Sequence, residues 1–312
     1  MAKVDCHVHS KYSHYITLTH SLLTFVGAKE SYNELEDIYN VAKKNGMDYV
    51  AITDHDTIKG ALILNDKYPD VIIGEELEVK ASDEGHLVHI VTLGVDEKMH
   101  KDLKDLKKIG LKETTGYLKQ KDVFYFLSHL AHSASGKPLP AKLLHEWIGY
   151  VDALEILNGV ITPQENNLAM TLACLYDKKI VGGSDAHTLE NIGKTFTEAK
   201  NAKSKEEFLQ ALKKGEVYVQ GEIDYSTKWL ASESFKFIYN SLKDVLFCPE
   251  HRQRPPFRKL LDHITVFGVA VPSVLYLTIY LPALLYKRKH AKRAVKLLDE
   301  ITDYYYEQFK IK

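Results

Sequence analysis

The sequence predicts an α/β fold built on a mainly parallel sheet, open or closed into a barrel, and three observations carry that expectation. Short apolar runs alternate with amphipathic stretches from Lys3 to Gly221. Several of the stretches between them have readable helix ends. Imidazole and carboxylate side chains recur at the ends of the apolar runs, where α/β folds assemble their sites.

Taken in order, the strand-like runs are Lys3–His9, Met47–Thr53, Asp70–Val79, His86–Val95, Val123–His129, Asp152–Asn158, Lys179–Ser184 and Glu216–Gly221. Ser31 with Glu34 reads as a capping box, with Leu35, Ile38 and Ala42 on one face and Gly46 as the stop. Ser204 with Glu207 repeats the device, with Phe208 and Leu212 inside and Gly215 closing the helix. The runs around Glu76 and His89 are separated by only a few polar residues, which predicts a hairpin rather than a crossover.

Composition narrows the class. The chain has 312 residues, with 41 Lys+Arg against 42 Asp+Glu, so no global charge favours nucleic acid. Three cysteines without a CxxC pair exclude a disulfide framework and a thiolate zinc site. They suit a reducing compartment, and no apolar signal region opens the chain; a cytoplasmic location, at the inner face of a membrane if the tail binds one, is the expectation. Charge is unevenly divided. From Glu250 onward there are 12 Lys+Arg against 6 Asp+Glu, a balance of +6 that leaves −7 on the preceding residues. This predicts two parts, an acidic body over 1–225 and a helical extension over 226–312. Within the extension, Ile264–Tyr286 is a run of 23 uncharged residues, interrupted by Gly268, Pro272 and Pro282 and flanked on both sides by Lys and Arg. Two readings stand: an interfacial insertion contacting a membrane surface through 250–296, or a helical layer buried in protein.

Fifteen histidines, twelve of them before residue 200, make spacing the deciding question. Asp5, His7 and His9 alternate, so in a strand they share one face. His55 sits in Thr53-Asp54-His55-Asp56-Thr57 directly after an apolar run; capping explains the acids and threonines there but not the imidazole. Gly74-Glu75-Glu76 supplies a carboxylate able to bridge two cations, Glu76 preferred and Glu75 one register away. The next run offers His86 or His89. Ser128-His129 and His132 follow, and Gly182-Gly183-Ser184-Asp185-Ala186-His187 ends the series. Each motif alone is weak. Their joint occurrence at separate strand ends points to a mixed nitrogen and oxygen site for zinc, manganese or iron, and to metal-assisted hydrolysis.

With these motifs in order, DCHVHSKYS, AITDHDTIKG, GEELEV, HIVTLG, FLSH, DALEILNG and GGSDAHT, the chain resembles the PHP (polymerase and histidinol phosphatase) family across residues 4–199. The resemblance implies a distorted (β/α)7 TIM-like barrel that holds up to three divalent ions and hydrolyses phosphate esters. It implies that His7, His9 and Asp185 hold one ion, with Glu76 bridging to a second held by His89 and His129. His14, His55 and His187 would hold the third; Ser13-His14 stands where family members often carry Asp. Asp185 or His187 is the implied proton carrier, Asp54 a further catalytic candidate, and Glu155, Asn158 and Lys194 the candidates for orienting substrate. The expected partner is a small phosphorylated metabolite, nucleotide or short oligonucleotide, with no stable nucleic-acid partner. The rival readings are a PHP-type nuclease or proofreading-like module, and a membrane-associated metal-binding protein without catalysis.

Overall fold

The computed structural model of the chain describes residues 1–13, 30–131, 139–222, 239 and 281–308, with side chains left aside at 281–283 and 305–308. The elements run β1 (Ala2–Val4), α1 (Leu35–Lys44), β2 (Val50–Ile52), α2 (Lys59–Lys67), β3 (Val71–Lys80), β4 (Leu87–Leu93), α3 (Glu97–Ile109) and α4 (Leu111–Gln120). They continue with β5 (Phe124–Leu127), α5 (Ala141–Tyr150), β6 (Ala153–Asn158), α6 (Pro163–Leu175), β7 (Lys179–Gly183), β8 (Thr195–Ala199), α7 (Lys205–Lys214), β9 (Tyr218–Gly221) and α8 (Leu281–Gln308).

Strands β2 to β7 form one curled six-stranded sheet in sequence order, a half-barrel with helices packed around it. Pairing is parallel for β2/β3, β5/β6 and β6/β7. β4 runs antiparallel to both its neighbours, which makes the expected β3–β4 hairpin. A second, antiparallel sheet orders β1, β8 and β9. The architecture is therefore α/β as expected, but the sheet is mixed and is completed by a separate three-stranded sheet. Val8 links its two ends: its N–H donates to Thr53 Oγ1 and its carbonyl accepts the Thr53 N–H, while it also bridges in parallel to Ala186. Thus the segment carrying His7 and His9 is tied to the ends of both β2 and β7. Apolar side chains of β3 to β6 pack with Leu103, Trp147, Leu168 and Leu172 into the largest core cluster.

Three local expectations are corrected. The first strand stops at Val4, because the Asp5 carboxylate turns from the predicted shared face to accept N–H bonds from His7, Ser184 and Gly193. Ser31 does not cap α1; its hydroxyl donates to the His9 carbonyl, and Glu34 is an N-cap without a side-chain bond. At α7, Ser204 does accept from the Glu207 N–H, but Glu207 turns to the Lys203 N–H, so half the box forms. The full capping box lies instead at Thr162 and Glu165 of α6. Gly46 and Gly215 take the left-handed conformations, at φ 82° and 74°, that end their helices.

His14, His132 and residues 264–280 of the uncharged run lie outside the described residues. Among those described, no helix is long and apolar enough to cross a membrane.

Candidate metal centre

Glu76 lies at the centre of the candidate site. It is fully buried on β3, and its two oxygens divide a ring of imidazoles between them. Oε2 lies 3.1 Å from His7 Nε2, 3.2 Å from His9 Nε2 and 3.3 Å from His55 Nε2. Oε1 lies 2.9 Å from His129 Nε2 and 3.1 Å from His89 Nδ1, and accepts the Ser128 hydroxyl at 2.9 Å. Asp185 Oδ1 completes one side, 3.5 Å from His7 Nε2 and 3.3 Å from His9 Nε2. The motifs that sequence spacing singled out are thus brought together from the segments following β1, β2, β5 and β7 and from within β3 and β4.

Close backbone approach makes this convergence possible. An added Cβ on Gly183 would stand 2.5 Å from His7 Cβ and 2.6 Å from its backbone nitrogen, so any larger residue would push the segments apart. Asp56, His129 and Asp185 have φ of 55°, 25° and 51°. Left-handed backbone at non-glycine residues is costly; two others, Asp122 and Asp177, follow helix ends, whereas these three lie at the cluster, where the chain re-aims side chains into one space.

Hydrogen bonds behind the ring determine which nitrogens face inward. His7 Nδ1 donates to Glu155 Oε1 at 3.0 Å. His187 Nδ1 donates to the Asp185 carbonyl at 3.0 Å. His9 Nδ1 lies 3.1 Å from Ser13 Oγ, whose proton is given to Glu30 Oε2 at 2.8 Å, so this ring nitrogen is again the donor. In all three rings Nδ1 is anchored as a donor and Nε2 is the nitrogen turned toward the carboxylates, the one that gives up its proton when a cation binds. His9 Nε2 and His89 Nε2 are buried without a hydrogen-bond partner. A site of buried, inward-facing imidazole nitrogens and carboxylates fits divalent cations by donor chemistry, with no thiolate among the donors. Four donor groups meet this description: His7, His9 and Glu76; His7, His129 and Asp185; His55, Glu76 and His89; and His9, Glu30, His55 and His187.

Glu30 is the residue that sequence reasoning missed. Its Oε1 lies 3.1 Å from His55 Nε2 and 3.4 Å from His187 Nε2. It lies two residues past the apolar stretch Leu22–Ala28, which was not among the strand-like runs, and directly precedes Ser31, read as a cap, so motif spacing did not mark it. The alternatives are also separated. Glu75 points to the other side of β3 and pairs with His100 Nδ1 at 2.7 Å, and His86 bonds the Ser82 hydroxyl rather than joining the cluster.

Glu155 and Asn158 are fully buried behind the ring rather than open to a ligand. The second oxygen of Glu155 accepts from the His129 N–H and from Asn158 Nδ2, and Asn158 Nδ2 also donates to Asp185 Oδ2. Asp54 is likewise buried and spends both oxygens on Ser10, accepting its N–H at 2.6 Å and its hydroxyl at 2.7 Å. Lys194 is exposed, between a short 3₁₀ turn and β8.

The electrostatics follow from this crowding. Burial opposes charge on His7, yet Asp185, Glu76 and Glu155 raise it well above the ordinary imidazole value. Burial likewise opposes charge on His9 and His89, but Asp185 and Glu76 lift the former, and Glu76 and Glu78 the latter, to about 10. Burial alone would raise Glu76, but His55, His7, His89 and His129 hold it well below the usual carboxylate range. His7 and His9 do the same for Asp185 against its burial. In the metal-free protein, protons do the work of balancing charge that cations would do.

Residues 163–217 match a family model described as PHP-associated. That segment takes in α6, β7, the Asp185–His187 turn, β8 and α7. A curated relative, an uncharacterised protein of Methanocaldococcus jannaschii, is 37% identical over 81 residues, covering 24% of this chain and 43% of the relative. The chain thus matches less than half the length of that relative. Three solved structures are similar. A protein assigned as a metal-dependent phosphoesterase from Bifidobacterium adolescentis has 17% identity and a TM-score of 0.44, over 68% of this chain and 96% of its own. An amidohydrolase from Chromobacterium violaceum has 14% identity and a TM-score of 0.48, over 71% and 98%. A lesion-specific endonuclease from Pyrococcus furiosus has 16% identity and a TM-score of 0.46, over 70% and 57%.

Proposed function

We propose that the chain is a metal-dependent phosphoesterase that hydrolyses a mono- or diester of a small metabolite, nucleotide or short oligonucleotide. The observation that carries this reading is Glu76, a buried carboxylate with five imidazole nitrogens within 3.3 Å of its oxygens. Its two oxygens serve two separate sets of imidazoles. Divalent cations held there by His7, His9, Glu76, His89, His129 and Asp185, with Glu30, His55 and His187 toward the rim, would supply Lewis acidity and a water activated near neutral pH.

The chain's own residues do the rest. Glu155 fixes the His7 ring and, through Asn158, the Asp185 carboxylate, so the inner ligands are oriented before substrate arrives. Asp54 positions the Ser10 loop and does not touch the reacting atoms. His187 is the most exposed imidazole of the cluster, its side chain 30% accessible, and lies at the rim beside Glu30. With Nδ1 held by the Asp185 carbonyl, its Nε2 is the ring nitrogen available to the site, as a cation ligand or, where no cation takes it, as a proton carrier to solvent. The charge of the body favours a small anion over a long polyanion, which would meet repulsion away from the cations.

The test is turnover of p-nitrophenyl phosphate, bis-p-nitrophenyl phosphate and a panel of phosphorylated metabolites by manganese- and zinc-loaded protein. Turnover of at least one ester, lost in His7→Ala and Asp185→Asn, is expected. Stoichiometric metal without hydrolysis of any ester would overturn the reading in favour of a non-catalytic metal-binding protein.

A further inference from the structure

α8 has two unlike sides. Its inner side is built into the body: Ala294, Leu297 and Ile301 are buried in the largest core cluster, and His290 Nδ1 bonds Glu165 Oε1 at 3.1 Å. The outward side carries Leu285, Arg288, Lys289, Lys292, Val295 and Lys296, spaced so that they share one helical face. On this face Leu285 and Val295 are 55% and 50% exposed, whereas Tyr286, 42% exposed, turns toward the inner side with its ring 4.1 Å from that of His290. No acid occurs between Leu281 and Leu298. Among the described residues, Lys296 pairs with Glu300, whereas Arg288, Lys289 and Lys292 enter no ion pair. In sequence, the first turns of this helix close the uncharged run Ile264–Tyr286.

We propose that the outward face of α8 docks on a membrane surface rich in anionic lipid headgroups. Cations alone would suit any polyanion. Leucine and valine interleaved with them are stabilised where apolar groups can leave water while the charged heads stay at the headgroup level. A nucleic acid offers the charge but no such apolar layer. The helix lies on the surface and does not span it, its inner side being committed to the protein. Lys296 of the outward face lines a cleft with Ala131, two residues beyond His129, so that face adjoins the segment that delivers one of the candidate ligands. The partner is independent of the reaction proposed above.

The test is co-sedimentation of the full chain with vesicles of phosphatidylcholine alone and of phosphatidylcholine mixed with phosphatidylglycerol, at low and high salt. Binding only to the anionic vesicles, and weaker at high salt, is expected. The combined Arg288→Glu, Lys289→Glu and Lys292→Glu variant should bind them about 100-fold more weakly or worse. Leu285→Ser with Val295→Ser should weaken binding by about 10-fold. All five positions are exposed, so metal content and circular dichroism should match those of the unaltered protein. Equal binding to neutral vesicles, no binding to either kind, or undiminished binding by the charge-reversed variant would each overturn the proposal. So would retention of a single-stranded oligonucleotide by this face with indifference to vesicles.

Discussion

The two sides of β3 differ by one residue in the chain and by an entire environment in space. Glu76 faces five imidazoles and has its proton affinity pressed well below the ordinary carboxylate value, despite complete burial. Glu75, equally buried, faces His100 alone, and there burial wins: its proton affinity is raised. Burial is common to both; the number of cationic neighbours decides the outcome. A lone carboxylate–imidazole pair of the Glu75 kind is ordinary core satisfaction. A carboxylate whose two oxygens each serve several imidazoles is a place where positive charge is concentrated by design of the fold.

The largest way to break this contrast is Glu76→Gln. Losing the shared carboxylate should abolish stoichiometric metal binding and lower ester turnover by about 1,000-fold or more, given that metal-based charge stabilisation contributes several kcal/mol. Metal analysis and initial rates on the same preparation check it. Glu155→Gln comes next: the His7 ring loses its anionic partner, and metal affinity or turnover should fall by about 10–100-fold. Titration of the metal-free variant with manganese reads this directly. A third test uses pH. His9 and His89 hold protons up to about 10 in the metal-free fold, so an entering cation must displace them. Metal affinity should therefore rise from pH 6 toward alkaline values, and calorimetry in buffers of differing ionisation enthalpy should show protons released. The raised imidazoles stabilise the metal-free fold fully below about pH 6.5, and that contribution is lost as pH rises through about 10. The thermal midpoint of the metal-free protein should fall over this window. The smallest effect belongs to Glu75→Gln. Thermal unfolding should show a loss of about 1 kcal/mol, and turnover should stay within about twofold, because only the His100 pair weakens.

How much of this was legible depends on what kind of force places each residue. Strand ends were legible, because apolar runs of period two announce themselves and the next polar residue falls at the mouth; that is how His55, His129 and Asp185 could be grouped before any coordinates. The hairpin of β3 and β4 was legible from the shortness of its connection. The choice between Glu75 and Glu76 was not, since β3 is buried on both sides and neither residue breaks an apolar face. His100, the partner that claims Glu75, sits on α3 and is marked by no motif. Glu30 was invisible for a similar reason: its position depends on Ser13, His55 and His187, three contacts distant in sequence. Asp5 shows the limit of alternation. It shares a period with His7 and His9, yet three backbone amides compete for its carboxylate and win. Ser31 and Glu34 match a capping pattern, but the His9 carbonyl offers the serine a tertiary bond instead.

The most direct measurement is crystallography of the full chain soaked with manganese, with anomalous scattering recorded at the metal edge. Peaks should lie between the Glu76 carboxylate and the inward ring nitrogens of His7, His9, His89 and His129, with Asp185 alongside. Anomalous density confined to other acidic groups, with Glu76 still bonded only to protonated imidazoles, would contradict the assignment of this cluster as a metal centre.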